Sequence, residues 1–195
     1  MPAITLRTTT LADLAWPRAG LRSNAALIVA ASALTALAAQ VAIPLPFSPV
    51  PVTGQTFAVL LAGAVLGARR AALAQALYLA EGAAGLPVFA GMAGGAHVLL
   101  GPTGGYLLAF PLAAALTGAL CERGWDRRFG SMVIAMLLGS TVIFALGLAV
   151  LARFVPARAL PGAGLLPFVP GDLLKATLAA LAFPLAWRFA SRPDA

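Results

Sequence analysis

Apolar stretches alternate along this chain with short segments that contain arginine, glycine or proline. A helix crosses the hydrocarbon core of a bilayer with about 20 apolar residues. The pattern predicts an all-α integral membrane protein with six transmembrane helices and long outer loops folded over a binding pocket. The expected helices cover about 24–45, 56–68, 71–84, 106–121, 131–151 and 172–187.

Residues 1–23 precede the first apolar stretch and contain Arg7, Arg18 and Arg22. We considered a cleaved signal peptide, but its charged region would be unusually long. The apolar run that begins near residue 24 also continues to about residue 45, which is transmembrane length. We therefore expect a solvated cytoplasmic arm followed by the first transmembrane helix.

Arginines set the expected orientation, since the cytoplasmic segments of membrane proteins are enriched in basic residues. Arg153 and Arg158 fall between the fifth and sixth expected helices. The other arginines fall in segments on the opposite side: Arg7, Arg18, Arg22, Arg69, Arg70, Arg123, Arg127, Arg128, Arg188 and Arg192. Both termini are therefore expected in the cytoplasm.

The composition supports this class. Hydrophobic residues make up 61% of the 195 positions, charged residues make up 10%, and the mean hydropathy is +0.95. Soluble domains do not reach such values, and six helices leave little room for a second domain. We therefore treat residues 1–195 as a single membrane domain. The net charge of +7 could indicate nucleic-acid binding, but arginine clusters between apolar runs are better explained by membrane topology, so no nucleic-acid partner is expected.

Neither an enzyme nor a metal site is expected. Cys121 is the one cysteine and His97 the one histidine, which excludes an internal disulfide and disfavours a zinc centre. The glycine-rich GPTGGY (101–106) lacks the lysine and the spacing of a phosphate-binding loop. No serine, histidine and acid set is plausibly placed for nucleophilic catalysis. We also expect no cofactor.

The stretch from Gly85 to Tyr106 contains seven glycines and two prolines. It is too rich in glycine for a helix and too apolar for a solvent loop. We expect it to fold back onto a site. The prolines within 44–51 predict a second outer segment that is extended, because each proline disfavours helical geometry in the residue before it.

Polar residues inside the apolar stretches are candidates for binding. Thr53 is most simply a helix cap, whereas Gln55 has no capping role and is expected to find a partner inside the bundle. Gln75 and Tyr78 share a face of the third helix that should turn away from lipid. Glu81 could be a site carboxylate, could reach the membrane interface, or could pair with a loop arginine.

Asp172 and Lys175 form the most informative pair. They lie in PGDLLK, three residues apart on one face of the sixth helix, and Lys175 is the only lysine. Asp172 could merely cap the helix. Lys175 opposes the helix dipole near the amino terminus, so it requires a nearby anion, either Asp172 or a ligand. We interpret the pair as a ligand contact.

Small residues of the first helix could form a docking surface. Ala26, Ala30, Ser32 and Ala36 recur at short spacings that would let another helix approach closely. An alanine-rich chain also produces such pairs by chance, and both interpretations stay open.

Four segments together resemble one transport family. They are SPVPVTGQTFAVLLAGAVLG (48–67), GLPVFAGMAGG (85–95), LLGPTGGYLLAFPLAA (99–114) and the DLLK of the sixth helix. The chain is similar over nearly its whole length to the BioY family, the biotin-specific S components of energy-coupling-factor (ECF) transporters. The resemblance implies high-affinity capture and uptake of biotin by a multi-pass protein of the bacterial cytoplasmic membrane. It also implies as partners a transmembrane coupling subunit and cytoplasmic ATPases. Whether the protein alone forms a homo-oligomer stays open.

Carried over by motif, Asp172 and Lys175 would contact biotin, and a loop from Phe89 to Tyr106 would cover it. Thr103, Gln55 and Gly91 are further candidate contacts. Gly91, Met92 and His97 lie in the middle of the loop, which cannot be aligned residue by residue. The chemistry agrees, since a carboxylate accepts from a ureido N–H and an ammonium donates to the ureido oxygen or to the biotin carboxylate. Two alternatives remain: an S component for another vitamin, and a non-transport membrane assembly protein.

Overall fold

The computed structural model describes residues 10–16 and 20–190, and the protein is mostly helical. Much of the expected cytoplasmic arm, including Arg7 and Arg18, lies outside the described residues, as does Arg192. The helices are α1 Leu11–Ala15, α2 Leu21–Gln40, α3 Gln55–Leu66, α4 Ala68–Ala83, α5 Ala96–Leu99, α6 Gly104–Cys121, α7 Phe129–Leu151, α8 Leu160–Gly164 and α9 Val169–Ala190. Short 3₁₀ turns cover Ala90–Met92 and Trp125–Arg127.

Four stretches within the described residues are long and apolar enough to cross a membrane. They are Leu21–Gln40, Gly104–Cys121, Phe129–Leu151 and Leu160–Phe189, the last of which contains α8 and most of α9. Helix α3 is apolar but spans only 12 residues. The protein is therefore a helical membrane protein with four candidate spans, and a total of six spans stays a prediction.

The expectation that the first helix reaches residue 45 was wrong, because α2 ends at Gln40. The chain then forms a β-hairpin of β1 Ala42–Leu45 and β2 Ser48–Thr53, paired antiparallel. The register is irregular between Ile43 and Leu45, around Pro44, which has no N–H to donate to the ladder. The prolines did produce an extended segment, but one that pairs with itself.

The amino-terminal residues that are described are not a solvated arm. Ala12 is 3% exposed, and the Asp13 carboxylate lies 2.7 Å from the Arg70 guanidinium. Burial acts to raise the pKa of Asp13, but the hydrogen bonds from Thr10 and Arg70 outweigh it, so this pKa lies below its ordinary value. Helix α1 is thus fastened to the start of α4.

Helix α6 is the most buried of the candidate spans and packs against α3, α4 and α7. Glycines allow this close packing. A Cβ added to Gly63 would lie 2.6 Å from the carbonyl oxygen of Ala114, and one added to Gly118 would lie 2.5 Å from the backbone nitrogen of Ala68. The turn between α3 and α4 therefore touches α6 backbone to backbone.

We predict that Gly118→Ala destabilises the folded protein by about 1–3 kcal/mol, because the methyl group overlaps backbone that has no rotamer to change. Gly130→Ala is the matched control, since a Cβ there meets nothing within 4 Å. Thermal unfolding in one detergent measures both. Equal melting temperatures for the two variants would refute the close contact.

Candidate binding site

A cavity of about 260 Å³ lies where the β-hairpin, the glycine-rich loop and the first turns of α3, α6 and α9 meet. Most of its wall is apolar, with aromatic rings from four segments: the glycine-rich loop, α6, α7 and the residue before α9. The expected site residues that line it are Asp172, Lys175, Tyr106, Thr103, Phe89 and Gln55. Of the site residues predicted from the sequence, all except Gly91 therefore line the same cavity.

Lys175 stands at the polar end of the cavity. Its Nζ donates to the Thr53 carbonyl oxygen at 3.1 Å, to Thr56 Oγ1 at 2.7 Å and to Asp172 Oδ1 at 3.4 Å. The ammonium is thus held by the end of β2, by α3 and by α9. A positive charge near the start of α9 interacts unfavourably with the helix dipole. The three acceptors compensate for this unfavourable interaction.

Asp172 is 6% exposed, and its second oxygen, Oδ2, has no hydrogen-bond partner among the described residues. Helix α9 begins at Val169, and the Asp172 N–H already donates to the Phe168 carbonyl oxygen at 2.9 Å. Asp172 therefore lies inside the first turn and is not the cap of this helix. A buried acceptor without a donor is costly, so a ligand N–H at Oδ2 would be strongly favoured.

Gln55 does find its partner inside the bundle, as predicted. Its Nε2 donates to the Tyr78 hydroxyl at 2.6 Å, and the hydroxyl donates to the Val88 carbonyl oxygen at 3.0 Å. Gln55 Oε1 accepts from the Thr53 hydroxyl at 3.1 Å. Both amide atoms are therefore engaged within the protein, and Gln55 acts as a brace between the hairpin and the glycine-rich loop.

The glycine-rich loop contributes its ring at Phe89, which is 1% exposed. The ring lies against Gly82, where an added Cβ would be 2.0 Å from Phe89 Cζ, and its centroid is 5.5 Å from that of Tyr78. The absence of a side chain at Gly82 is thus a condition for closing the loop.

Tyr106 holds a second loop, the segment around α8, over the cavity. Its hydroxyl donates to the Gly164 carbonyl oxygen at 2.8 Å, and its ring lies among those of Phe144 and Phe168. Ser48 of the hairpin also donates to the Ala163 carbonyl oxygen, at 2.6 Å. The segment around α8 is therefore fastened to both the hairpin and α6.

Three loop residues do not contribute side chains to the cavity. Gly91 adopts a φ of +68°, which favours glycine, and is exposed within its turn. Met92 is 62% exposed, and His97 is exposed on α5. Gly91 itself does not line the cavity, although Ala90 and Ala93 on either side of it do, so a contact between Gly91 and a ligand stays a prediction.

Sequence reasoning missed Gln40, the last residue of α2. Its Nε2 donates to the Phe89 carbonyl oxygen at 3.2 Å, and its Oε1 accepts from the Met92 N–H at 3.0 Å. Met92 has a φ of +59°, a conformation that non-glycine residues rarely adopt. Gln40 therefore holds the turn that places Phe89 in the cavity. The sequence near Gln40 does not indicate this role, because both hydrogen-bond partners lie about fifty residues further along the chain.

The proposed docking residues divide between two faces of α2. Ala26 and Ala30 are exposed and Ala36 is half-buried. Ser32 is 0% exposed and donates to the Glu81 carboxylate at 2.5 Å, so including it in a docking surface was wrong. Glu81 does not line the cavity, since this internal hydrogen bond engages it instead.

The fold and this cavity define a helical membrane protein with a largely apolar cavity at one end, of a size and lining that suit a small ligand. Within the described residues, no group of three or more histidine, cysteine or acidic side chains could hold a metal ion. The chain belongs to the BioY family, whose model matches residues 9–192.

Curated relatives agree with this assignment. The "Probable biotin transporter BioY" of Pyrococcus horikoshii is 43% identical over 149 residues, which is 76% of this chain and 86% of that protein. The "Biotin transporter BioY" of Thermotoga maritima is 45% identical over 140 residues, or 71% of this chain and 82% of its own length.

A solved structure is similar as well. It is described as "Crystal structure at 2.1 A of the S-component for biotin from an ECF-type ABC transporter". The two structures superpose with a TM-score of 0.75 at 27% sequence identity, covering 89% of this chain and 93% of that one. The similarity thus extends over nearly all of both chains.

We predict that Gln40→Ala loosens the turn of the glycine-rich loop, because it removes the two hydrogen bonds that this side chain forms with the turn. Hydrogen exchange of the Met92 amide should accelerate by roughly fivefold or more, as expected for a lost hydrogen bond of about 1 kcal/mol. Gln40→Glu keeps an acceptor for the Met92 amide, so the exchange rate of that amide should lie between the rates of the wild type and of Gln40→Ala. Unchanged exchange in Gln40→Ala would contradict this role.

Proposed function

We propose that this protein captures biotin and takes it up across the cytoplasmic membrane as the substrate-binding S component of an ECF transporter. It is a transport protein and not an enzyme. The observation that carries the proposal is the buried Asp172 Oδ2, an unpartnered acceptor beside an ammonium in an otherwise apolar cavity. The family membership and the printed names of the relatives support the same ligand.

Biotin combines an apolar bicycle and alkyl chain with a ureido group and a carboxylate. In a ureido group, N–H donors flank a strong carbonyl acceptor. Asp172 Oδ2 accepts one N–H, and Lys175 donates to the adjacent carbonyl oxygen. The Lys175 hydrogen bond to Asp172 Oδ1 is the longest of its three at 3.4 Å, so this proton is the one that turns to the ligand. The polar end of the cavity thus matches the ureido end of biotin.

The rest of the cavity suits the apolar part of the ligand. Phe89, Phe110, Phe144 and Phe168 contribute rings, and Val50 contributes an aliphatic wall from the hairpin. Such a lining, with few polar groups to fix orientation, is typical of sites for small molecules. Thr103 and Tyr106, which also line the cavity, stay proposed contacts.

We place the protein in the membrane with six spans and both termini in the cytoplasm. The cavity lies at the start of α9, whereas Arg188 lies in its last turn. Helix α3 would span only about 18 Å by itself, so the hairpin and the glycine-rich loop complete the outer part of the fold. The position of Arg188 at the end of α9 opposite the cavity supports this orientation, because basic residues are enriched on the cytoplasmic side of membrane proteins.

The proposed partners are a transmembrane coupling subunit and cytoplasmic ATPases, because the similar solved structure is described as part of an ECF-type ABC transporter. Helix α2 offers an exposed face with Ala26 and Ala30, at which a helix could approach closely. We propose Ala26, Ala30 and Ala36 as the docking surface and exclude Ser32.

We predict that Asp172→Asn and Lys175→Ala each weaken biotin binding at least roughly tenfold, because each removes a charge-assisted hydrogen bond. Isothermal titration of the purified protein measures the dissociation constant. Thr177→Ala is the control on the same helix, since Thr177 is exposed and donates only to the Leu173 carbonyl oxygen.

Biotin titration also separates the proposal from its alternatives. Unchanged affinity in folded Asp172→Asn and Lys175→Ala would refute the assigned contacts. Indifference of the wild-type protein to biotin, with retention of another vitamin, would identify an S component of different specificity. Indifference to every vitamin would favour an assembly protein.

We further predict that uptake of labelled biotin into cells rises when the coupling subunit and ATPases are co-expressed, since this chain contains no nucleotide-binding loop. Replacing Ala26 and Ala30 by Leu should reduce that gain and leave biotin binding intact. A full gain with both leucines in place would argue against this docking surface.

A further inference from the structure

The end of the protein opposite the biotin cavity carries an open hollow of about 450 Å³. It is lined by Arg127, Pro184, Trp187 and Arg188, and we call it the arginine hollow. Arg127 belongs to the connection between α6 and α7, and the other residues belong to the last turns of α9. The biotin proposal does not use any of these residues.

Within the described residues, neither arginine of the hollow forms an ion pair with a carboxylate, although the Asp126 carboxylate is near enough to Arg127 to interact with its charge. Ion pairs within the described ranges are those of Asp13 with Arg70 and of Asp172 with Lys175. Arg127 and Arg188 are both exposed. Guanidinium groups bind phosphate oxygens through parallel N–H groups. The hollow therefore presents two guanidinium groups that are available to an anion.

The floor of the hollow is fixed in place. The Trp187 indole N–H donates to Asp126, whose carboxylate is 1% exposed and does not line the hollow. Arg127 Cζ lies 4.5 Å from the centroid of the Trp187 ring, in a cation–π arrangement. This stacking holds the Arg127 guanidinium at the mouth of the hollow before any ligand arrives.

An apolar surface leads from the hollow along α9. Leu181, Pro184, Leu185 and Arg188 follow one another at i, i+3, i+4 and i+7, which places them on one face of the helix. Leu181 is 54% exposed and Leu185 is 50% exposed. A ligand with its anionic group at Arg188 would therefore have its apolar part alongside these leucines, toward the middle of the membrane.

The hollow also lies at the basic end of the protein. The Ala68 N–H donates to Glu122 Oε1 at 2.9 Å, which places Arg69 and Arg70 at the same end as the α6–α7 connection. This end faces the cytoplasm in the proposed orientation. Basic pockets between helices on that side of a membrane bind anionic lipid headgroups.

We propose that the arginine hollow binds an anionic phospholipid, with its phosphate between Arg127 and Arg188 and its acyl chains against Leu181 and Leu185. A lipid fits better than a free anion, because the hollow continues into an exposed leucine face within the membrane. Tryptophan at the level of the headgroups is typical of such an interface.

Native mass spectrometry of the full chain in non-ionic detergent tests the proposal. The probes are dioleoylphosphatidylglycerol, dioleoylphosphatidylcholine and inorganic phosphate. We expect the wild-type protein to retain one phosphatidylglycerol in preference to phosphatidylcholine, and the double variant Arg127→Ala, Arg188→Ala to bind it roughly tenfold more weakly. Arg153→Ala with Arg158→Ala is the matched control, since it removes the same charge from exposed arginines at the other end.

Equal retention of phosphatidylglycerol by the double variant, or equal retention of both lipids by the wild type, would overturn the proposal. Arginine-dependent binding of inorganic phosphate that displaces the lipid would overturn it in favour of a soluble anion. Unchanged biotin affinity of the double variant shows that it is folded. If the double variant does not fold, Arg188→Ala alone must weaken lipid binding, and failure to do so refutes the site.

Discussion

The partial burial of one ammonium near the amino-terminal end of a helix is the constraint on which this structure depends. Lys175 is the only lysine of the chain, and its charge must be solvated by the protein in an apolar setting. Its acceptors come from the hairpin at Thr53, from α3 at Thr56 and from α9 at Asp172. Satisfying one charge therefore fixes three walls of the cavity relative to one another. The same arrangement leaves one carboxylate oxygen of Asp172 for the ligand.

The loops over the cavity follow a related rule, because backbone groups in an apolar environment need partners. Side-chain amides and hydroxyls supply several of them. Gln40 binds the backbone at Phe89 and Met92, Tyr78 binds the carbonyl oxygen of Val88, and Tyr106 binds that of Gly164. The polar residues around the cavity thus hold loops in place as well as lining the site.

Much of the site could be predicted from sequence, because it contains charged and polar side chains within apolar helices. A lysine near the start of an apolar helix and a glutamine at the rim of another both require partners, and Lys175 and Gln55 have them. The hairpin could not be predicted, because prolines argue against a strand and its pairing depends on contacts across a turn. Ser32 was misplaced since an alanine-rich helix gives little periodic signal to tell its inner face from its outer face.

The two halves of the protein differ in how easily they could open. In the half away from the cavity, α6 meets the α3–α4 turn through backbone at Gly118 and Ala68, and such helices cannot separate without losing many close contacts. Around the cavity, the glycine-rich loop is held by hydrogen bonds, which include those of the Gln40 and Tyr78 side chains and the one from the Phe89 N–H to the Ala93 carbonyl oxygen. We therefore expect the cavity to open more readily through the loops than between the helices. Biotin is expected to enter past the loop that carries Phe89, while the helical framework moves as one unit.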